Sequence, residues 1–322
     1  MHPFIAPLAF LAERLLGYPK LLLDTIGHPV IWYGRLIDYL DTRLNKAERA
    51  DTERQQAGIV ALALLLGVTL LASLLVVWFT GLIEHGWVIE ALLAMPFLAS
   101  RQLGEMVRDV ARALRTSLDA GREAVGHIVG RDTRTLDEAG VARAAIESLA
   151  ENASDGVIAP LFWLVIFGLP GIALYKAINT ADSMIGHLDE RYRDFGWASA
   201  RLDDLVNWIP ARLTALLLTA ACFFIPGASP SSAWRAARRD ARGHKSPNAG
   251  WPEAAMAGAL GFALGGPRDY DGETIDLPRM GDGRADLDAE DVEKALGLYK
   301  AMLNVTFGIL VVVALLRLSG HF

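Results

Sequence analysis

The sequence predicts an all-α, polytopic membrane protein with amphipathic and broken or re-entrant helices that face the cytoplasm. Its 322 residues are 52% hydrophobic and only 21% charged, whereas a soluble domain is usually about 45–50% apolar and about 25% charged. Residues 57–79 contain no charged side chain, and about 20 apolar residues suffice to cross a bilayer as a helix. We therefore predict a span at 57–79 inside a single membrane-embedded domain that covers residues 1–322.

Weaker apolar stretches are further candidates for membrane spans. They lie at 4–16, 87–100, 157–175, 205–225 and 301–318. The third is interrupted by Gly168-Leu169-Pro170-Gly171, and neighbouring proline and glycine favour a break in a helix. Two interpretations remain open there, namely one kinked span or a pair of short helices that re-enter on the same side.

The basic residues predict the orientation of the chain. Arginines and lysines are frequent before 57–79 and after 87–100, whereas the turn at 80–86 has none. The positive-inside rule places both basic segments in the cytoplasm, so we expect a multi-pass protein of the inner cell membrane with a cytoplasmic active face. A net charge of −6 argues against nucleic-acid binding, and the one cysteine, Cys222, excludes a site built from several cysteines.

The remaining helices are predicted from their start signals. A helix at the membrane surface is expected over 101–125, and Thr135 with Glu138 has the spacing of a capping box that would start the next helix, through 141–152. Pro252 suits the first turn of a later helix. The small residues that follow it, Ala257, Gly261 and Gly265, would let a neighbouring helix approach closely. Residues 266–287 should form an acidic loop, and Asp288 should start the helix of the last span.

Polar groups share one face of the segment that follows the broken span. On a helical wheel they fall within about 140° of arc; they are Lys176, Asn179, Asp182, Ser183, Gly186, His187 and Glu190. An ordinary surface helix is one interpretation. The mixture of amine, amide, hydroxyl and carboxylate groups beside a membrane segment favours a functional site, because polar groups are costly there.

An acidic row precedes the broken span. Glu147, Glu151 and Asp155 recur every fourth residue and would stack if the helix reaches Asp155, although like charges at this spacing destabilise a helix. A bound cation would offset that repulsion, and Mg²⁺, which shares carboxylate oxygens with phosphate, or nearby arginines are candidates. The alternative is a solvated acidic stripe, beside which Asn152 adds an amide.

Two more clusters contain cationic groups. Arg201, Asp204, Trp208 and Arg212 would share one face of a helix through 200–213, or Arg201 and Asp204 would simply form an ion pair. A basic loop follows, with Arg238, Arg239, Arg242, His244, Lys245, Asn248 and Glu253. Its guanidinium and amine groups suit phosphate or carboxylate ligands, and basic loops also bind anionic lipid headgroups.

These segments resemble a known enzyme family, the adenosylcobinamide-phosphate synthases of cobalamin biosynthesis, over nearly the whole chain. The resemblance is carried, in order, by GRDT, LDEAGVARAAIESLAENASDGVIAPLFW, YKAINTADSMIG, ERYRDFGWASARLDDLVNWIPARLTALL and SPNAGWPEAAMAGALG. It implies an integral membrane ligase that joins a propionate of adenosylcobyric acid to aminopropanol or its phosphate. The bond is an amide, and its formation consumes ATP.

The resemblance also implies cofactors and residue roles. ATP and Mg²⁺ would take part, although no nucleotide-binding motif is present. The carboxylates expected to hold metal or amine are Glu151, Asp155, Asp182 and Asp204, with the first three as Mg²⁺ ligands. The residues expected to bind substrates are Asn152, Lys176, Asn179, Ser183, Arg201, Arg212, Lys245, Asn248 and Glu253. The partners would be the corrinoid, the amine and membrane lipid, and either a homo-oligomer or a complex with other membrane enzymes of the pathway is compatible.

Two positions depart from the family pattern, and two rival functions remain. Tyr18 stands where family members commonly have aspartate, and His187 stands where an aromatic residue is common, so we do not expect His187 to be a base.

The rivals are a Mg-diphosphate-dependent membrane prenyltransferase and a corrinoid transporter or scaffold. Carboxylates in N-x-x-D rather than N-x-x-x-D spacing argue against the first, and too few full uncharged spans argue against the second.

Overall fold

The computed structural model describes residues 2–19, 23–25, 27–130, 132–266, 268–270, 273–275 and 278–320. The predicted all-α class is confirmed, because the strands within these residues are only two or three residues long. The helices are α1 (Ile5–Leu16), α2 (Pro29–Leu44), α3 (Asp51–Thr80), α4 (Trp87–Ala94), α5 (Ser100–Thr116), α6 (Leu118–Gly126), α7 (Glu138–Ala153), α8 (Ala159–Ile185), α9 (Trp197–Val206), α10 (Trp208–Ala221), α11 (Pro230–Asp240), α12 (Gly250–Leu260) and α13 (Ala289–Leu318). The strands are β1 (Leu264–Gly265), β2 (Arg268–Tyr270), β3 (Glu273–Ile275) and β4 (Arg279–Met280), with β1 antiparallel to β4 and β2 antiparallel to β3.

The chain forms two compact units, each assembled from separate segments. Unit 1 comprises Met1–Ala99, Ala159–Asn207 and Leu310–Phe322, and unit 2 comprises Ser100–Ile158 and Trp208–Ile309. The single membrane-embedded domain expected over 1–322 stays a prediction.

Unit 1 is built around the packing of α3 against α8, with α2 and α9 beside them. Small and branched side chains such as Ala61, Leu65, Ala177 and Ala181 form this core. Close approach depends on Gly58, because a Cβ atom there would lie 1.9 Å from the carbonyl oxygen of Phe195. The short side chains therefore bring the polar end of α8 beside α9.

Unit 2 is built around α12, which packs against α11, α10 and α7. Four of its 11 residues are alanine, and most of the helix is buried. A Cβ atom at Gly258 would lie 2.5 Å from the carbonyl oxygen of Ser232, so the glycine lets α11 and α12 touch through their backbones. Elsewhere in the unit, the Tyr299 hydroxyl donates to the carbonyl oxygen of Ser100 at 2.9 Å.

Three helical segments of the described chain are long and apolar enough to cross a membrane: 51–80, 138–185 and 289–318. They contain the predicted spans 57–79, 157–175 and 301–318. The broken pair of α9 with the 208–224 segment would make a fourth, which overlaps the candidate 205–225 up to residue 224. The candidates 4–16 and 87–100 are not confirmed as spans, since α1 has 12 residues and α4 has 8, short of the roughly 20 that a bilayer requires.

Two predicted helix boundaries were wrong. Asp137 is the N-cap of α7, and its carboxylate accepts from the Gly140 amide at 2.6 Å. The helix is therefore capped by Asp137 instead of by the capping box expected at Thr135. The helix expected over 101–125 is interrupted at Ser117, whose hydroxyl caps α6 by accepting from the Ala120 amide at 3.1 Å.

The expected helical pair of Gly261 and Gly265 was also wrong. Helix α12 ends at Leu260 because Gly261 adopts a left-handed conformation with φ of 67°, which glycine tolerates at a helix end. Gly265 belongs to β1 instead, and the loop expected over 266–287 includes short strands. The predicted start of α13 is confirmed, since Asp288 Oδ1 accepts from the Glu290 amide at 2.8 Å.

The polar helix expected over 176–190 is shorter than predicted. Helix α8 has its break at Gly168, within the predicted interruption over 168–171, and ends at Ile185, so His187 and Glu190 lie outside the helix. Gly186 follows at its end, and a Cβ atom there would lie 2.0 Å from Asp182 Oδ1. The helix therefore stops where the Asp182 carboxylate lies against the glycine backbone.

Candidate functional site

A hydrogen-bond network in unit 1 centres on Asp203 of α9. Asn207 Nδ2 donates to Asp203 Oδ2 at 2.9 Å, and Asn179 Nδ2 donates to Asp203 Oδ1 at 3.4 Å. The amide oxygens of the two asparagines accept in turn, from the Tyr175 hydroxyl at 2.9 Å and from Lys176 Nζ at 3.0 Å. The carboxylate therefore fixes the orientation of both amides, and one of them presents an acceptor to the lysine.

This network is partly buried. Asp203 is 8% exposed, Asn207 is 1% exposed and Tyr175 is 2% exposed, whereas Lys176 and Asn179 are half-buried. Buried polar groups need partners, and a network whose members are satisfied is rigid. The arrangement therefore holds the Lys176 ammonium group at a defined position at the edge of the buried region.

Two more carboxylates of unit 1 belong to the same electrostatic group. Asp182 and Asp204 are half-buried, and Asp182 interacts electrostatically with both Asp203 and Asp204. Arg201, exposed on α9, attracts Asp204. The structure thus brings predicted residues of both signs together at the ends of α8 and α9.

Ser183 has a different environment from the rest of that predicted face. It is exposed, and its hydroxyl donates to the Asn179 carbonyl oxygen at 2.9 Å. That bond lies within the helix. A substrate-binding role for Ser183 stays a prediction.

His28, also in unit 1, interacts electrostatically with Lys176. It caps α2 by accepting at Nδ1 from the Val30 amide at 3.3 Å. Burial, and then the positive charge of Lys176, lower the pKa of His28 below its usual value, against a raising effect from its hydrogen bond to the Pro96 backbone. The imidazole is therefore held in its neutral form close to the lysine.

Arg212 is held between two indole rings in unit 2. Its Cζ atom lies 4.3 Å from the ring centre of Trp208 and 4.8 Å from that of Trp251. Nη1 donates to the Trp208 carbonyl oxygen at 2.6 Å and to Asn248 Oδ1 at 3.3 Å. A planar guanidinium stacks on aromatic faces in this way, and the predicted pair of Arg212 and Asn248 is in direct contact.

The turn before α12 carries the other predicted residues of this region. Glu253 is 4% exposed, and its Oε1 lies 3.5 Å from His244 Nε2. Asn248 is also buried, whereas Lys245 is exposed. The turn is closed by Ser246 Oγ, which accepts from the Asn248 and Ala249 amides at 3.2 Å each. The buried members fix the shape of the turn, and Lys245 projects from it.

The acidic row of α7 in unit 2 does not form a simple stack. Glu147 is buried and accepts from the Gly265 amide at 2.7 Å, which ties β1 to α7. Helix α7 ends at Ala153, and residues Ser154–Ile158 form a π-helical turn. Because a π turn is wider than an α turn, Asp155 departs from the α-helical spacing that predicted the row.

The other predicted groups at the end of α7 and in the π turn differ in exposure. Glu151 is exposed and Asp155 is half-buried, whereas the Asn152 amide donates to the Ser148 carbonyl oxygen at 2.9 Å. Their predicted roles as metal or substrate ligands stay predictions.

The prediction that Arg201, Asp204, Trp208 and Arg212 share one face of a single helix was wrong. Helix α9 ends at Val206 and α10 begins at Trp208, with Asn207 between them. The side chain of Asn207 turns back onto Asp203, four residues earlier. Arg201 and Asp204 therefore belong to unit 1, and Trp208 and Arg212 to unit 2.

Comparison with known proteins identifies the family. Residues 6–299 match the family described as CobD/Cbib protein. The chain belongs to this family. It is 47% identical to the cobalamin biosynthesis protein CobD of a Sinorhizobium species over 97% of this chain and 98% of the relative.

Two other CobD proteins are similarly close. The identity is 49% for that of Rhizobium meliloti strain 1021, over 94% of this chain and 93% of the relative. It is 48% for that of Rhodobacter capsulatus, over 95% of this chain and 96% of the relative. No solved structure matched the chain.

The sequence did not single out several residues that contact the predicted ones in each unit. They are Asp203, Asn207, Tyr175 and His28 in unit 1 and Trp251 in unit 2. One signal was present, because Ser199, Asp203 and Asn207 recur every fourth residue and all three are buried. A polar stripe on the buried side of a helix requires partners, and it should have directed attention to Asp203 rather than to Asp204 alone.

The predicted metal ligands of the chain are carboxylates. Within the described part of the chain, no group of three or more His, Cys, Asp or Glu side chains is arranged to hold a metal ion. Mg²⁺ is usually bound through one or two carboxylates together with substrate phosphates. Glu151, Asp155 and Asp182 offer carboxylate oxygens of this kind, and their role as Mg²⁺ ligands stays a prediction.

Proposed function

We propose that this chain joins a propionate of adenosylcobyric acid to aminopropanol or aminopropanol phosphate by an ATP-dependent amide bond. Family membership supports a role in cobalamin biosynthesis. The finer proposal, a C–N ligase giving adenosylcobinamide or its phosphate, rests on the family resemblance and on the chemistry of the polar groups. The enzyme would act at the cytoplasmic face of the inner membrane.

The observation that carries the proposal is the Asp203 network with its neighbouring carboxylates. An amide-forming enzyme has to hold an anionic carboxylate or phosphate, and it has to accept a proton from an ammonium group so that the amine can attack. Lys176, oriented through Asn179, suits the first task. Asp182 and Asp204, which interact electrostatically, suit the second, because a carboxylate pair attracts an ammonium ion and can accept its proton.

The cationic groups of unit 2 suit the same class of substrate. Arg212 and Asn248 would bind corrinoid amide or carboxylate groups, or a phosphate, through the guanidinium and the amide. Lys245, which is exposed, would offer a second cation to the same groups. Mg²⁺, when bound with ATP, supplies charge neutralisation on the phosphate oxygens, and Arg212 and Lys245 would add positive charge there.

The decisive experiment is a product assay with the purified full chain in detergent. Adenosylcobyric acid and Mg-ATP are supplied with either aminopropanol or aminopropanol phosphate, and the corrinoid amide is sought by mass spectrometry. We expect the amide with at least one amine and none without ATP. Absence of the amide with both amines, from protein that is folded and binds adenosylcobyric acid, would overturn the ligase assignment and leave a non-catalytic role.

Variants test the proposed roles of the carboxylates. Asp182→Ala and Glu151→Ala are each expected to abolish the amide product while the protein still inserts in the membrane. Asp109→Ala is the matched control, because Asp109 is 67% exposed on α5 and forms only a surface pair with Arg112 at 3.4 Å. Wild-type turnover by both site variants would contradict the assigned roles and leave the reaction itself to the product assay.

A further inference from the structure

A cavity in unit 2 lies beside α13, where the charged N-terminal part of this helix gives way to its apolar part. Its volume is about 460 Å³. Its lining includes Lys300, Asn304 and Gly297 of α13 and, shortly after the end of α10, Phe224 and Ile225. None of these residues belongs to the groups assigned above to amide formation. One side of the cavity is therefore polar and cationic, and the other is apolar.

Lys300 has no ion-pair partner among the residues that the structure describes. By contrast, Lys294 on the same helix forms an ion pair with Asp291 at 3.0 Å. Lys300 is exposed and lies in the cavity wall beside the Asn304 side chain. An ammonium group next to an amide suits an anionic ligand with several acceptor oxygens.

Space for that ligand is left by Gly297. A Cβ atom at this position would meet no other heavy atom within 4 Å. A lysine at the end of a membrane helix often extends toward the headgroups without any site. The open volume beside the lysine distinguishes this case, because a lysine that only reaches for water needs no cavity.

The position of the cavity along α13 bears on the class of ligand. Residues 301–316 contain no charged side chain, so Lys300 is the last charged group before the apolar part of a helix that is long enough to span a membrane. Phospholipid phosphates lie at that boundary. Beside it, Phe223 and Phe224 are 78% and 69% exposed, and such aromatic surface suits acyl chains better than water.

We propose that this cavity binds one anionic phospholipid, with its phosphate on Lys300 and Asn304 and an acyl chain along Phe224 and Ile225. A second copy of the chain fits less well. If α13 packed symmetrically on α13, the Lys300 side chains of both copies would meet, and like charges repel. The anionic headgroup offers the opposite charge.

The test uses the full chain in phosphatidylcholine vesicles with a trace of phosphatidylglycerol that carries a photoactivatable acyl chain. We expect labelling of peptides that contain residues 222–225 and 301–305. Unlabelled phosphatidylglycerol should compete, and added phosphatidylcholine should not. Equal competition by phosphatidylcholine would overturn the proposal, as would displacement by inorganic phosphate or cross-linking between two protein copies instead of labelling.

Two variants probe charge and shape separately. Lys300→Gln should lower labelling about fivefold, the factor that corresponds to about 1 kcal/mol for one lysine near an anionic membrane surface. Gly297→Leu should block labelling by filling the cavity with the charge unchanged. Lys294→Gln is the matched control and should label like the wild type. Wild-type labelling of both Lys300→Gln and Gly297→Leu would refute the site.

Discussion

At the scale of single residues, Arg212 is held by two aromatic rings as well as by hydrogen bonds. The guanidinium lies between the rings of Trp208 and Trp251 and donates to Asn248. A lysine would keep the charge, but it would lose the planar stacking and the forked donors. The sequence alone placed Arg212 at the edge of an apolar run without indicating the second ring, because Trp251 is distant in sequence.

Arg212→Lys is expected to destabilise the protein by about 1–2 kcal/mol, the range for a partly buried cation between aromatic rings. The measurement is the thermal unfolding midpoint in detergent. Arg115→Lys is the matched control, since Arg115 is 51% exposed and 3.6 Å from Glu293, and a surface change of this kind shifts stability by about 0.5 kcal/mol or less. Equal shifts for the two variants would show that the stacking contributes nothing.

His28 gives a prediction about pH. Burial and Lys176 lower its folded-state pKa below the usual value of 6.5. As the pH falls below 6.5 toward the folded-state pKa, the unfolded chain binds a proton that the folded chain does not. Stability contributed by this group is therefore complete above that window and decreases through it.

His28→Asn should reduce this pH dependence, because asparagine retains an N-cap acceptor and does not titrate. Unfolding midpoints of wild type and variant are compared at pH 7.5 and pH 5. The wild type should lose more stability on acidification than the variant does. The same loss in both proteins would show that other groups account for the whole effect.

At the scale of elements, the break in α8 is decided by one residue. Gly168 has φ of 68° and ψ of −153° inside an otherwise helical segment. This backbone region is essentially restricted to glycine, and other residues held there cost about 1–3 kcal/mol. Pro170 and Gly171 made the break predictable from the sequence, whereas the particular residue that carries it was not.

Gly168→Ala is therefore expected to lower stability by about 1–3 kcal/mol. Gly67→Ala is the matched control, because Gly67 lies inside α3 and a Cβ atom there would meet no other atom within 4 Å. That change should leave stability unchanged or raise it slightly. Unfolding of both variants in a denaturing detergent series tests this, and a neutral Gly168→Ala variant would mean that the backbone relaxes without cost.

At the scale of the whole molecule, α3 provides the clearest test of membrane orientation. It has 30 residues and would extend about 45 Å, enough to place its two ends on opposite sides of a bilayer. The basic segment before it and the uncharged turn after it predict that its N-terminal end is cytoplasmic. The rest of the topology follows from this assignment only where a helix is long enough to cross.

Single-cysteine labelling checks this orientation. Cys222, which is 3% exposed, is first replaced by alanine, and a cysteine is then introduced as Ala47→Cys or as Glu84→Cys. Both positions are exposed. In intact cells an impermeant maleimide should label only the cysteine at 84, and after permeabilisation it should label both. Labelling at 47 in intact cells would reverse the predicted orientation.

The division into units shows what could not be predicted at this scale. The chain leaves or re-enters a unit at 99/100, 158/159, 207/208 and 309/310. The second crossing lies at the end of the π turn, and the third lies at the break between α9 and α10. Each unit is assembled from distant segments, and hydrophobic periodicity describes only neighbours along a helix.

Sequence alone determined the all-α class, the span at 57–79, the break near Gly168 and the start of α13 at Asp288. These depend on local composition and local backbone preference, which are written in consecutive residues. It also selected Lys176, Asn179 and Asp182, because their spacing places them on one helical face. The same reasoning extended that face too far, since the helix ends at Ile185 and leaves His187 and Glu190 outside it.

Only the tertiary structure decided which carboxylate is central and what orients the cations. Asp203 acquires its role from Asn179, which lies on another helix, and Arg212 acquires its second ring from Trp251. Each of these contacts joins residues that are far apart in the chain. The physical reason is that a buried polar group is stabilised by whichever partner the fold brings within hydrogen-bond distance, and helical spacing carries no information about partners on other helices.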